Sequence, residues 1–421
     1  MMLRPVTMQS PATTSPQSTH GVAHPPRVCI VGGGFGGLYT ALYLSQKCRR
    51  RRQPCDITLI EPRERFLFTP LLYEVLTDEL KPWEIAPAYV TLLQGTAIRH
   101  CRTTADQLHL DDRTVDLASG ETLVYDYLVV ATGSQERPVP VPGLADHTHR
   151  FRTLADAQAL DSRLADLEAR AQTHNPAPPI QVTIVGGGPS GVELACKLAD
   201  RLGPRGHLQL VERGDCLLKP FSQRVRRVAI QALHRRRVQI CLNMGVVAIE
   251  ADCITLDTPH GPTAQPTDLV VWVAGTQPMP WLGDPVAETD QGQQLPQGSL
   301  QLPQFPEVFV VGDQAVMGWQ RDRAAPQTAQ AAYQAAATVA HNLLAAIQGR
   351  SPKPFRYLHL GDMMTLGYRN ALVSSFGLVL HGPLAGLTRQ VVYLQRLPTW
   401  SHRGRVARFR LSQIWRWLWR W

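Results

Sequence analysis

Two glycine runs have the spacing most suggestive of chemistry in this chain. They are Gly32-Gly33-Gly34-Phe35-Gly36-Gly37 and Gly186-Gly187-Gly188-Pro189-Ser190-Gly191. In a G-x-G-x-x-G turn the first glycine bends the chain, the second lets backbone approach a pyrophosphate, and the third lets a helix pack on a strand. Those roles fall to Gly32, Gly34 and Gly37, and again to Gly186, Gly188 and Gly191. The helix that follows offers free N–H groups and a partial positive charge to the phosphates. An acid at the end of the next strand takes the ribose hydroxyls, and Glu61 and Glu212 stand there. Glu212 favours NADH because a carboxylate repels a 2′-phosphate, whereas the adjacent Arg213 could attract one. The nicotinamide therefore stays open between NADH and NADPH. One glycine turn is a weak signal, since such turns also serve packing. Two, each in strand–turn–helix context with an acid following, imply two bound dinucleotides.

The elements that must hold these turns can be read around them. Arg27 to Val31 reads as a buried strand, Leu38 to Lys47 as a helix, Arg49 to Arg52 as a solvated loop, and Asp56 to Glu61 as the next strand. The pattern returns with Gln181 to Val185, Val192 to Arg201 and His207 to Glu212. Val28-Cys-Ile-Val-Gly-Gly-Gly aligns with Val182-Thr-Ile-Val-Gly-Gly-Gly at an offset of 154 residues. A repeat of that size means two similar domains rather than a solenoid. The expected fold is α/β, with two Rossmann-like dinucleotide-binding domains and a C-terminal membrane-associating segment. Ala171 to Pro179 reads as a linker. A late strand, Val308 to Val311, ends in Gly312-Asp313, and a helix follows from about Thr328 to Ile347. The expected boundaries are a disordered tail over 1–26, a first domain over 27–150, a second over 151–304, a return to the first over 305–349, and a C-terminal region over 350–421.

The chain has 421 residues, a net charge of +9 and only five lysines, so its excess charge is arginine. Such charge suits anionic cofactors or an anionic membrane surface. No nucleic-acid-binding module is readable. The eight cysteines form no C-x-x-C and no metal-ligand spacing, so free thiols and no metal are expected. Cys48 and Cys55 come nearest to a pair but lack the spacing of a redox dithiol, and they read as incidental. No apolar run is long enough to span a membrane. Residues 1–26 lack acids and an apolar core, which favours a tail or a short transit peptide over a secretory signal.

Further motifs give the arrangement a family. Val129-Val-Ala-Thr-Gly-Ser134, Trp272-Val-Ala-Gly275 and Phe309-Val-Val-Gly-Asp313 resemble the connecting segments of the two-dinucleotide-domain flavoproteins. The resemblance implies FAD in the first domain, touched by Phe35, Gly36, Ala131, Thr132, Gly133, Gly312 and Asp313. It implies NAD(P)H in the second, with Pro189, Ser190 and Gly275 contributing. Arg65-Phe-Leu-Phe-Thr-Pro-Leu-Leu-Tyr-Glu74, Ala325 to Gln334, and Gly361-Asp-Met-Met-Thr-Leu-Gly367 then resemble the type II NAD(P)H:quinone oxidoreductases. That likeness places Thr69, Pro70 and Ala329 beside the flavin and Glu193 near the nicotinamide–flavin contact. It assigns Gln330, Tyr333 and Gln334 to the quinone, with Gln amides as donors and the Tyr ring as a stacking surface. Arg65 to Pro87, with Val392 to Trp400, resembles the cyanobacterial and plastid branch that reduces demethylphylloquinone. Gln327 departs from the family's usual Thr or Pro.

The terminus Ser401 to Trp421 holds six Arg, no acid, and Trp at 415, 417, 419 and 421. Leu411, Ile414, Trp415, Leu418 and Trp421 fall near helical spacing. Trp settles at the headgroup level and Arg pairs with anionic lipid, so an interfacial helix is expected. The resulting picture is a peripheral enzyme on the cytoplasmic or stromal face of a thylakoid or plasma membrane. It would pass a hydride from NAD(P)H to flavin and two electrons to a naphthoquinone. Rival readings are a generic respiratory dehydrogenase using plastoquinone, ubiquinone or menaquinone, a soluble reductase feeding an electron-transfer protein, and a flavin-based NAD(P)H sensor. Oligomeric state is open, a homodimer included.

Overall fold

The computed structural model describes residues 24–418, apart from 174–177, 284–285, 287–288, 290–291 and 321–322. The first sheet is wholly parallel. Its order is Val308–Val310, Tyr127–Val130, Arg27–Val31, Asp56–Ile60, Ile98–Cys101. Arg27–Val31 and Asp56–Ile60 are buried beyond their first residue, as expected of strands covered on both faces. The late strand at 308 therefore belongs to the first domain although the whole second domain intervenes. Helix α1 (Phe35–Arg51) starts earlier and ends later than its apolar period suggests. Arg49, Arg50 and Arg51 are its last turn rather than a loop, because cations are favoured beside the negative end of a helix. Arg52 then adopts a left-handed conformation (φ 52°) and turns the chain back. That reversal brings the Cys48 and Cys55 thiols into contact, and all eight cysteines remain free.

The second sheet repeats the first. Its order is Gln239–Cys241, Gly206–Val211, Ile180–Val185, Leu269–Trp272, Thr148–Arg150, again all parallel. Val28 has Ile57 and Tyr127 as cross-strand partners, and Val182 has Leu208 and Leu269, so the repeat extends to register. Thr148–Arg150, assigned by the sequence to the first domain, pairs with Leu269–Trp272 and belongs to the second. Helix α2 (Leu154–Gln172) opens on a Thr153–Asp156 capping box and absorbs Ala171 and Gln172 from the expected linker. Residues 174–177 of that linker lie outside the described residues. Helix α3 (Pro189–Leu202) follows the second glycine turn and α4 (Gln223–Arg235) lies beyond Glu212.

Helix α5 (Ala329–Ile347) has Thr328 as its N-cap, whose hydroxyl accepts from the Ala331 N–H at 3.2 Å. Its buried Ala331, Ala332, Ala335, Ala336 and Ala340 present little bulk, which lets it lie close along α1. A three-stranded antiparallel sheet follows, Asp362–Thr365, Ala371–Ser375 and Leu378–Gly382. Helices α6 (Pro383–Arg396) and α7 (Trp400–Leu418) end the described chain. Among the described residues no helix is long and apolar enough to cross a membrane. The tail expected over 1–26 falls mostly outside the described residues, as do Trp419 and Trp421. The side chains of Ile414, Trp415, Trp417 and Leu418 are likewise outside what can be described.

Candidate active site

Each glycine of the first turn has a separate steric reason. Gly32 sits at φ 97°, and a Cβ there would stand 2.4 Å from the Ala131 carbonyl oxygen. A Cβ on Gly37 would stand 1.8 Å from the Gly32 carbonyl oxygen, so only glycine lets α1 approach its strand. At Gly34 a Cβ would meet nothing within 4 Å, leaving the backbone open on the side from which a phosphate approaches. The second turn repeats this pattern: Gly186 has φ 122°, a Cβ on Gly191 would lie 1.8 Å from the Gly186 carbonyl oxygen, and Gly188 faces open space. Residues and geometry thus fit a dinucleotide pyrophosphate in both places.

The two acids are aimed by their own turns. Glu61 Oε2 accepts from the Gly33 N–H at 2.7 Å, and Glu212 Oε2 accepts from the Gly187 N–H at 2.6 Å. Burial opposes ionisation of Glu61, but Arg63 and the Gly33 N–H outweigh it and hold the carboxylate below its usual range. Glu212 Oε1 takes its second bond from the Gly214 N–H at 2.6 Å, while Arg213 beside it is exposed.

The connecting segments meet one another. Ala131 N–H donates to the Val31 carbonyl at 2.8 Å, continuing the first sheet, and Thr132 Oγ1 donates to Gln314 at 3.2 Å. Gly133 and Gly275 both hold positive φ, 75° and 80°, and after them Ser134–Glu136 and Thr276–Pro278 pair antiparallel as a double strap between the domains. Asp313 follows Gly312 (φ 82°) and accepts from the Ser134 hydroxyl at 2.7 Å. Phe35 packs edge-on to Phe66 and Phe68, each at 5.3 Å, and Gly36 abuts Val311. Thr69 and Pro70 open the turn Thr69–Val75, and the Pro70 carbonyl accepts from Arg389. Across the domains, the Tyr73 hydroxyl meets Ser190.

On the acceptor side the geometry departs from expectation. Gln334 makes two bonds to the Leu358 backbone, at 2.8 and 2.9 Å. Gln330 donates to the Gly361 carbonyl at 3.2 Å and accepts from the Leu360 N–H at 3.0 Å and the Tyr357 hydroxyl at 3.1 Å. Both amides, expected to face a quinone, therefore clasp residues 357–361 to α5, because that segment has backbone groups and no ladder of its own. Ala329 starts α5 beside them. The half-buried Tyr333 ring meets Tyr39 edge-on at 4.9 Å, and the Arg396 guanidinium lies over it at 5.6 Å.

Glu193 leads to a group of buried charges not anticipated as site residues. Its Oε1 accepts from the Thr365 N–H at 2.8 Å, and Arg389 lies 3.7 Å away. Arg389 also pairs with Glu74, and Lys197, 0% exposed, pairs with Glu79 and lies 4.0 Å from Glu74. Burial pushes the Glu193 carboxyl up to about 7, against the pull of Arg389 and the Thr365 N–H. The group joins the first domain, α3, the C-terminal sheet and α6. One signal was present in the sequence: Glu193 and Lys197 are four apart on one helix, hence on one face. Thr365 lies within the Gly361–Gly367 motif, whereas nothing local marked Arg389.

The terminal helix is also partly claimed by the protein. His402 bonds the Glu84 carbonyl at 2.8 Å, Arg410 pairs with Glu84 at 2.9 Å, and Trp83 meets Phe409 edge-on at 5.2 Å. The first half of α7 is thus a docked helix. This docking engages residues that the sequence reading gave wholly to an interfacial helix over Ser401 to Trp421.

Comparison with known proteins agrees with this geometry. Residues 26–336 match the family described as pyridine nucleotide-disulphide oxidoreductase. The demethylphylloquinone reductase NdbB of Synechocystis sp. is 41% identical over 390 residues, 91% of this chain and 95% of that protein. The alternative NAD(P)H-ubiquinone oxidoreductase C1, chloroplastic/mitochondrial, of Arabidopsis thaliana is 35% identical, covering 91% of this chain and 80% of that one. The NDH2 of Plasmodium falciparum, solved in complex with NADH, superposes with a TM-score of 0.81 at 17% identity, over 93% of this chain and 99% of that one, and shares the fold. With two nucleotide cradles, no dithiol of redox spacing and relatives that reduce quinones, the chain belongs to the pyridine nucleotide-disulphide oxidoreductase family and is an FAD-dependent NAD(P)H:quinone oxidoreductase.

Proposed function

We propose that this enzyme reduces a naphthoquinone of the demethylphylloquinone type, at the surface of a membrane on which it rests peripherally. The observation that carries the reading is the 41% identity to a demethylphylloquinone reductase along nearly the full length of both chains. Bound FAD supplies the redox chemistry, accepting hydride from NAD(P)H and returning two electrons to the quinone. The chain's own residues bind, orient and handle protons. Gly34 and Gly188 open the backbone to the two pyrophosphates, and Glu61 and Glu212 take ribose hydroxyls. Holding both partners against one flavin works through proximity and orientation. Glu193, buried with its carboxyl raised to about 7, is assigned the proton that the reduced quinone takes up. Gln330 and Gln334 fix the 357–361 segment as one wall, and Tyr333 with Arg396 forms another.

The test is steady-state kinetics on FAD-loaded protein, crossing NADH and NADPH with a demethylated naphthoquinone, plastoquinone and ubiquinone. A naphthoquinone kcat/KM about tenfold above the others is expected. Equal values would return the enzyme to a generic respiratory role. Membrane attachment is tested by deleting residues 411–421, which spares the docked His402, Val406 and Arg410. Weakened membrane association with soluble-quinone activity retained is expected, and unchanged association would refute the terminal anchor.

A further inference from the structure

Between α4 and the C-terminal sheet lies a cavity of about 410 Å³ that the redox site does not use. Gln231 and Arg235 line it from α4, with Arg236 just beyond the helix; Asn370, His381 and Pro383 line it from the C-terminal region. Its one carboxylate, Asp200, is already neutralised: Arg236 holds both oxygens at 2.7 and 2.9 Å, and the Tyr368 N–H adds a bond at 2.6 Å. Among the lining residues Arg235 is a further arginine, exposed, and the exposed His381 lines the cavity as well. Helix α4 carries no acid at all, and its exposed face continues the basic surface through Arg224 and Arg227.

An apolar strip begins where the cavity ends. Helix α6 buries Ala385, Gly386 and Arg389 and turns Leu384, Leu387 and Val391 outward; Leu384 is 70% exposed and Leu387 60%. The adjoining hairpin adds Phe376, 80% exposed, with Leu378 and Leu380. Monomeric surfaces rarely show such contiguous apolar groups without a partner. A basic face bordering an apolar strip is the chemistry of an interface with anionic lipid, where aliphatic and aromatic groups enter the acyl boundary and arginines meet phosphates.

We infer that this cavity receives the phosphate headgroup of an anionic lipid while the Leu384–Leu387–Val391 strip lies in the membrane surface. The nucleotide domain then touches the bilayer through α4. Attachment at α4 as well as at the terminus fixes the tilt of the enzyme. It presents the α5–α6 side to a quinone arriving from the lipid. The inference rests on the peripheral-membrane reading above, and its test separates the two.

Full-length protein is sedimented with vesicles of phosphatidylcholine alone and with vesicles that also carry phosphatidylglycerol, at low and raised salt. The variants are Arg235→Gln and the double variant Arg227→Gln/Arg235→Gln. Both positions are exposed, and unchanged NAD(P)H oxidation with a soluble quinone confirms folding. The expected result is a parent preference for the anionic vesicles that falls about fivefold for each arginine removed and with salt, while binding to neutral vesicles stays constant. An anionic preference that survives in the double variant, or that the parent never shows, overturns the inference and leaves the membrane reading standing. A parent that binds neither vesicle overturns both. Titration of inorganic phosphate against lipid-free protein separates the two phosphate sources. No binding heat is expected, and a heat that the double variant loses would make this a free-phosphate site instead.

Discussion

The two nucleotide domains share a turn, an acid and a sheet order, yet the chain wraps them differently. In the first, Glu61 is 2% exposed and clasped by Arg63, the Tyr89 hydroxyl holds the Gly33 carbonyl at 2.7 Å, and Val311 from the returning strand closes over Gly36. In the second, Glu212 is only half-buried, the equivalent Gly187 carbonyl is met by the Leu218 N–H at 2.9 Å, and Arg213 stands in solvent. The first turn and its acid are enclosed by other segments of the chain; the second turn and its acid lie more open. Such a difference suits a resident cofactor in the first turn and an exchanging substrate in the second. The helices diverge too. At the offset of 154 residues, Tyr39 and Tyr43 of α1 correspond to Glu193 and Lys197 of α3. The aromatic pair meets Tyr333, the charged pair meets Glu74, Glu79 and Arg389, and α6 serves both with Arg396 and Arg389.

Breaking one turn at a time should separate the two sites most sharply. Gly37→Val and Gly191→Val each place side-chain carbon against a carbonyl oxygen that already excludes a Cβ. Gly37→Val should yield protein without flavin absorbance and without turnover. Gly191→Val should keep its flavin, while NAD(P)H reduces it at least about a hundredfold more slowly. If Gly191→Val also lost flavin, the two sites would be one cooperative unit and the contrast would fail.

The next effect concerns the divergent helices. Glu193→Gln keeps an oxygen for the Thr365 N–H and removes the titrating proton. In the parent, the carboxyl is protonated below about 7 and charged above it. A step that takes its proton should therefore slow as pH rises through that value. Tenfold or more loss in quinone reduction is expected in the variant, with the inflection near 7 gone and flavin reduction by NAD(P)H preserved in stopped flow. A retained inflection would assign the titration to another group in contact with Glu193, with Tyr73, Glu74, Lys197, Arg389 and Tyr393 the charged or ionisable neighbours.

A smaller change is expected at the open mouth. Glu212→Gln removes the charge that repels a 2′-phosphate and leaves Arg213 beside it. The ratio of kcat/KM for NADPH over NADH should rise about tenfold. The matching Glu61→Gln should leave that ratio alone and weaken flavin retention instead.

Much of this contrast could be read from residue order, and the physical reason is locality. Glycine turns, strand periods and the following acids are short-range signals, and the equivalence of Val28 and Val182 carried through to register. Signals failed where the partner is distant in sequence. Arg49 to Arg51 read as a loop because charge alone conceals a helix end. Thr148–Arg150 joined the second sheet through a strand more than a hundred residues later. Arg389 reaches Glu74 across 315 residues, and no local pattern announces a pairing of that kind. Gln330 and Gln334 were picked out as residues, but their hydrogen bonds to the backbone of residues 357–361 were not foreseen.

That last point supplies the mildest and most discriminating perturbation. Gln334→Ala removes two bonds to Leu358, about 1 kcal/mol each at most in net terms because water can replace part of the loss. If Gln334 is a clasp, the wall it holds loosens. KM for the quinone should then rise a fewfold, kcat should hold, and flavin reduction by NAD(P)H should be untouched. If its amide instead donates to the quinone in the transition state, kcat and kcat/KM should fall together by about tenfold or more. Gln334→Glu sharpens the choice. A carboxylate still accepts from the Leu358 N–H but cannot donate to the Leu358 carbonyl, so a clasp is half kept and a quinone donor is wholly lost. Partial recovery of KM in Gln334→Glu over Gln334→Ala would place Gln334 with the framework that shapes the acceptor side; kcat as low as in the alanine variant would return it to the chemistry.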